Sequence, residues 1–242
     1  MTYQEFLEIL NKAYRDNTKL ASLVKQIVRA SEKGTATFTM AQNYAIELGK
    51  VLGNTINKTG VLSDETAAYT ISYVTSLLKP AMTESYELAS EAAMMVQDSL
   101  NKKHGINLSA VKPNLDNNRI DNMIKEVVNK GYILNEDTIQ QQLINFNQSA
   151  VDSTITANAD FLEHTGITVR YTRIAESGAC QWCRDLEGTY STYEAPDGFF
   201  GHHTNCNCII RLDDMKSTGK VNYWTRKYDA AVREGRIKAI DD

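Results

Sequence analysis

The sequence predicts a mainly α fold: a helical N-terminal domain over residues 1–165, then a small C-terminal α+β module over residues 166–242. Three observations carry this expectation. Apolar residues recur at helical spacing through the first part, and only Pro80 occurs among the first 112 residues. At Gly166 the pattern changes to apolar–polar alternation rich in β-branched residues, which suits strands. All four cysteines, Cys180, Cys183, Cys206 and Cys208, fall within 29 consecutive positions of the second part.

Thr2-x-x-Glu5 and Thr39-x-x-Gln42 both fit the capping box, in which each side chain bonds the other residue's backbone amide at a helix start. From Phe6 to Ile27 apolar residues keep helical spacing: Phe6, Leu7, Leu10, Ala13, Tyr14, Leu20, Leu23, Val24 and Ile27. Gly34, Thr35 and Thr37 mark a loop, and a further helix is expected from about Met40 to Ile56, broken by Asn57-Lys58-Thr59-Gly60. Ser63 with Asp64 and Glu65 reads as the next start, since acidic groups favour the positive end of the helix dipole. Pro80 is pre-set for a first helical turn, so it is expected to open a helix that continues to Lys103 and ends at Gly105. Ala89, Ala92, Ala93, Met94 and Met95 give that helix a slim face for close packing. His104 to Asp116 reads as a loop. Ile139, Leu143, Phe146, Ala150, Ala157 and Phe161 then form a stripe, flanked by Gln and Asn, within a helix from Asn135 to about His164. At 1.5 Å per residue that helix is about 45 Å long.

In the second part, residues 167–174 alternate as a strand. Residues 188–193 read as a turn into a second strand, residues 195–201 as a loop, and residues 208–212 as a third strand. Trp224 to Ile237 suggests a terminal helix.

Composition narrows the function. The chain has 242 residues, 42% hydrophobic and 23% charged, enough for a sizeable core. The net charge is −4, and neither part is basic: 15 basic against 19 acidic residues before Gly166, 11 of each from there on. That argues against a dedicated double-strand DNA binder, which needs concentrated Lys and Arg over a large surface, and leaves room for a local basic patch. No apolar run approaches the ~18 residues of a membrane helix. Met1 to Glu5 has no basic stretch leading into an apolar one, so cytosolic synthesis with reduced thiols is expected.

Reduced cysteines in the pattern C-x-x-C, a 22-residue gap, then C-x-C favour a metal over disulfides. Four thiolates close a tetrahedral zinc site, with each pair supplying one edge. His203 lies three residues before the second pair, so five candidates compete for four places: Cys180, Cys183, His203, Cys206 and Cys208. The set favoured is the four cysteines, with His203 either replacing one of them or bonding a thiolate. Every candidate comes from the protein and none leaves a place for water, which points to a structural ion. A thioredoxin-like redox pair is the competing reading. It is disfavoured because the C-x-x-C does not lead from a strand into a clear helix.

The run from Arg173 through Cys180-Gln181-Trp182-Cys183-Arg184-Asp185-Leu186-Glu187-Gly188 to His203-Thr204-Asn205-Cys206-Asn207-Cys208 resembles the C-terminal module of the Mu F-like minor head proteins of tailed bacteriophages. That family carries C-x-x-C, Leu-x-Gly and H-x-x-C-x-C. The resemblance implies a minor virion protein inside the head near the portal, aiding head assembly or DNA packaging and ejection. Its implied partners are the portal or major capsid protein, and packaged DNA. The doubled His202-His203 leaves open which ring faces the metal.

A different class of function is a zinc-dependent nucleic-acid-processing enzyme of the His-metal nuclease type, using His202 or His203. The remaining histidines, His104 and His164, fall at expected helix ends, where such rings usually cap carbonyls. That leaves few acid–base candidates. Tyr171, Tyr190, Tyr193, Phe199 and Phe200 are expected to form the minimal core of the module, with Phe199-Phe200 a candidate anchor for a protein partner if exposed. Self-association through the Ala–Met face is a further expectation, secondary to its role as core.

Overall fold

The computed structural model describes residues 1–62, 71–129, 136–203, 206 and 208–217. Six helices come first: α1 (Tyr3–Asp16), α2 (Thr18–Glu32), α3 (Phe38–Thr59), α4 (Ile71–Lys103), α5 (Asn117–Asn129) and α6 (Glu136–His164). They are followed by β1 (Ile167–Ile174), the short α7 (Gln181–Asp185), β2 (Gly188–Ser191) and β3 (Ile209–Ser217). The strands form one antiparallel sheet in the order β2-β1-β3. The architecture is therefore mainly α with a small C-terminal sheet.

Local chemistry sets most boundaries. Thr2 and Glu5 make the full capping box at the start of α1. The single periodic stretch from Phe6 to Ile27 is two helices, because Asn17 leaves the helical region and its side chain accepts from the Leu20 amide. The second capping box does not form. Helix α3 starts at Phe38 after Thr37, and Gln42 reaches instead to Asp152. Gly60 and Gly105 sit at left-handed φ of 63° and 70° and close α3 and α4. Pro80 lies inside α4, which starts at Ile71 rather than at the proline. An interior proline costs about 3 kcal/mol, but Leu77, Leu78, Ala81 and Met82 are buried on both sides of it. Each large apolar side chain of that kind contributes about 1.5–3 kcal/mol, which carries the helix through. Helix α5 had no counterpart in the sequence reading. Asp116 caps its first amides, and Ile120, Ile124 and Val127 bury one face. The expected helix starts at Ser63 and Trp224 lie outside the described residues.

Helix α6 is the axis of the protein. It packs on α3 and α4 on one side and on β1 and β3 on the other. Its expected stripe holds as far as Ala150. Beyond it Val151, Ile155, Ala159 and Leu162 are buried, while Ala157 and Phe161 are only partly covered. A helix covered from two sides does not keep a single apolar face. Three of the flanking Asn and Gln residues, Asn147, Gln148 and Asn158, are accordingly buried. Asn147 accepts from Ser85 Oγ at 2.7 Å, and Asn158 exchanges two hydrogen bonds with the Val111 backbone. One apolar core runs without a break from Phe6 through α6 to Ile167, Val169, Tyr171, Phe199, Ile210 and Leu212 of the sheet region.

The approach of α3 to α6 depends on Gly49. A Cβ there would stand 2.6 Å from Ile144 Cα and 2.9 Å from Leu143 O, both backbone atoms. Gly→Ala inside a helix normally stabilises by roughly 0.5–1 kcal/mol. Here the clash dominates, at about 1–3 kcal/mol for an overpacked site. Gly49→Ala is therefore expected to lower the urea midpoint, and a midpoint equal to or above that of the natural sequence would contradict this packing.

Candidate metal centre

The C-x-x-C stands at the mouth of α7, with Cys180 as the residue before the helix and Cys183 in its second half. A short helix does follow Cys180, contrary to the sequence reading, but it spans only five residues. Cys206 and Cys208 come just before β3, and both are buried. All four cysteines are free thiols. Cys183, Cys206 and Cys208 are buried together, while Cys180 is exposed.

The ligand atoms converge in two overlapping groups, Cys180–Cys183–His203 and Cys183–Cys206–Cys208. Within each group every ligand atom lies within 4.8 Å of the others, and Cys183 belongs to both. His203 Nε2 is 2.9 Å from Cys183 Sγ and 3.2 Å from Cys180 Sγ. Cys183 Sγ and Cys206 Sγ are 3.8 Å apart. Two sulfurs bound at about 2.3 Å on one tetrahedral ion lie about 3.8 Å from each other, so this edge already has the span a zinc ion needs. The donors are soft and clustered, and they suit such an ion. All five residues that the sequence singled out are thus brought together.

The thiols are electrostatically unequal. The Cys183 amide lowers Cys180, and burial pushes Cys183 up to about 12. Burial also raises Cys208. At Cys206 burial acts upward too, but His202 and hydrogen bonds from Cys208 together reverse it and bring the thiol down to about 6. Metal ligation needs thiolates, so binding would release protons, and acid would release the metal.

The residues that sequence reasoning missed lie behind the sulfurs. His202 is not among the gathered ligand atoms; it stands behind them, between Cys206, whose thiol it lowers, and α6. Its Nε2 is 2.7 Å from Asp152 Oδ2 on α6, both side chains are buried, and Gln42 Nε2 donates to the other carboxylate oxygen at 2.9 Å. Gln148 of α6 donates to the Cys206 carbonyl at 3.3 Å. Arg173, fully buried at the end of β1, reaches Cys183 and Cys206 Sγ at 3.8 and 3.9 Å. Asp152 and Gln148 carried no local signal, since their partners are 50 or more residues away. Arg173 carried one: in the alternation of β1 it falls on the inward side with Ile167, Val169 and Tyr171.

Phe199 is not an exposed anchor. It is buried, and with Tyr171, Tyr190 and Phe200 it forms an aromatic cluster with ring centroids 5.0–5.9 Å apart. Only Tyr193 of the module's tyrosines and phenylalanines is largely exposed among the described residues. His164 caps a carbonyl at the end of α6, with Nδ1 2.6 Å from Asp160 O.

Fold and site together define a helical protein bearing a small cysteine–histidine module that can hold a metal ion. Residues 36–231 match the family model described as VG15 protein, and the chain belongs to that viral protein family. A phage protein is what the sequence resemblance implied at its broadest. No curated protein and no solved structure matches the chain in the corresponding comparisons. Among the described residues no helix is long and apolar enough to cross a membrane.

Proposed function

We propose that the chain is a non-enzymatic minor structural protein of a phage head, of the Mu F-like kind. In this reading it lies inside the capsid near the portal and aids head assembly or DNA packaging and ejection. Its contacts are the portal or major capsid protein, with packaged DNA and further copies of itself as additional partners. One structural zinc, held by Cys180, Cys183, Cys206 and Cys208 with His203 as the fifth candidate, would staple the C-terminal segment. The observation that carries this reading is the gathering of the Mu F-like cysteine–histidine spacing into one cluster, in a chain of a viral family.

The nuclease alternative finds less support. A general base must reach the proton it abstracts, but the His202 side chain is buried against Asp152, and His203 Nε2 lies against two sulfurs. Purified virions analysed by mass spectrometry are expected to contain the chain at low copy, and the isolated protein should not cut DNA with added zinc, magnesium or manganese. Absence from particles would overturn the virion role. Metal-dependent cleavage abolished by His203→Ala would overturn the non-enzymatic reading.

A further inference from the structure

Arg173 is the largest fully buried side chain among the described residues. A guanidinium remains charged at any relevant pH, and a buried charge is strongly unfavourable without a counter-charge. Among the described residues none of its hydrogen-bond partners is a carboxylate. Its Nη1 donates to the Phe199 carbonyl, and its Nη2 donates to the Gly201 carbonyl at 3.0 Å. The Nη2 also lies 3.8 Å from Cys183 Sγ and 3.9 Å from Cys206 Sγ, and the Trp182 ring covers the guanidinium carbon at 5.4 Å. Among the described residues, the groups beside the guanidinium that can become anions are cysteine sulfurs: Cys183 and Cys206 within reach of Nη2, and Cys208, which also feels its charge.

We propose that Arg173 is a positioning and charge-balancing residue of the metal centre, whose guanidinium bonds the Cys183 and Cys206 thiolates and offsets the surplus negative charge of a zinc ion held by thiolates. The inference rests on the zinc reading above. A doubly charged cation with four thiolates carries two surplus negative charges, and burial makes each of them expensive. A fixed cation bonded to two of the sulfurs removes part of that cost. It also pins the Phe199–Gly201 loop, which leads to His203, against the C-x-x-C helix. Partners of ligands outside the coordination sphere typically change metal affinity 10–100-fold when removed.

The test is made on the full chain with zinc and with cobalt(II) as a spectroscopic probe. Arg173→Gln removes the charge, and Arg173→Lys keeps it while losing the fork that holds both carbonyls. Zinc affinity, measured by competition with a chromophoric chelator, is expected to fall about 10–100-fold in Arg173→Gln and clearly less in Arg173→Lys. The sulfur-to-cobalt charge-transfer band should move to lower energy in Arg173→Gln, because losing N–H···S bonds raises the sulfur donor level. Natural affinity in Arg173→Gln, or two equally weakened variants with an unmoved band, would reduce Arg173 to a loop tie and overturn the proposal. If the variants do not fold, the natural chain loaded with cadmium-113 decides: coupling between the metal and an Arg173 Nη proton supports the proposal, and an observed but uncoupled proton overturns it. A chain that binds none of these metals overturns the zinc reading together with this one, whereas binding indifferent to Arg173 overturns this one alone.

Discussion

Stripping the metal from the purified chain is expected to unfold the segment from Gly166 onward while most of the helical signal survives. The sheet has three short strands, one of only four residues. Its inner face joins the core of α6 through Ile167, Val169, Tyr171, Ile210 and Leu212, whereas Cys183, Cys206 and Cys208 form a separate small cluster with little apolar surface of its own. Structural zinc contributes roughly 10–16 kcal/mol in small zinc domains at neutral pH, comparable to the roughly 5–15 kcal/mol stability of a whole protein. Losing it leaves Cys183, Cys206 and Cys208 buried with no cation but Arg173 and His202. Most of the shared core, from Phe6 to Leu162, lies within the helices, so their far-ultraviolet circular dichroism should persist. After chelation all four thiols should react quickly with a disulfide reagent, and amides of β1 and β3 should lose protection from exchange. Full thermal stability without metal would refute this.

His202→Leu is expected to destabilise the protein strongly, by about 3–5 kcal/mol, the usual cost of removing one partner of a buried ion pair. Asp152 would keep only the Gln42 amide. Asp152→Leu should cost a similar amount, and the double variant less than the two losses added, because it leaves no orphaned charge. Burial alone would lower the His202 pKa, but the Asp152 carboxylate and Cys206 more than reverse this and raise it to about 9. A raised folded pKa means that the pair's contribution is fully present below the unfolded value of about 6.5 and is lost as pH rises through about 9. The gap between natural and His202→Leu unfolding energies should therefore be widest on the acid side and shrink above neutrality. A gap that grows toward pH 9, or single losses that add in the double variant, would contradict the buried pair.

The pattern of success in reading the sequence follows from the range of each interaction. Elements set by neighbours in the chain were legible: the Thr2–Glu5 box, the Gly60 and Gly105 helix ends, and the alternation of β1. The clustering of Cys180, Cys183, His203, Cys206 and Cys208 was legible because soft donors at such close spacing have few other uses. Elements set by distant contacts were not. Pro80 inside α4 is tolerated only because residues on both sides of it are buried. No partner for the polar residues of α6 can be read from the sequence, yet Asn147, Asp152 and Asn158 are buried and find partners in other elements. The pairing of Gln42 with Asp152, 110 residues away, also explains why the second capping box is not made. The doubled histidine looked ambiguous, and the fold divides it: His202 Nε2 pairs with Asp152 of α6 behind Cys206, and His203 Nε2 lies against Cys180 and Cys183.

X-ray absorption at the zinc edge, on the chain purified under reducing conditions, examines the metal centre most directly. The expected result is about one zinc per chain, with a first shell dominated by sulfur at about 2.3 Å. A protein carrying no zinc, a shell of nitrogen and oxygen alone, or cysteines recovered as disulfides would contradict it.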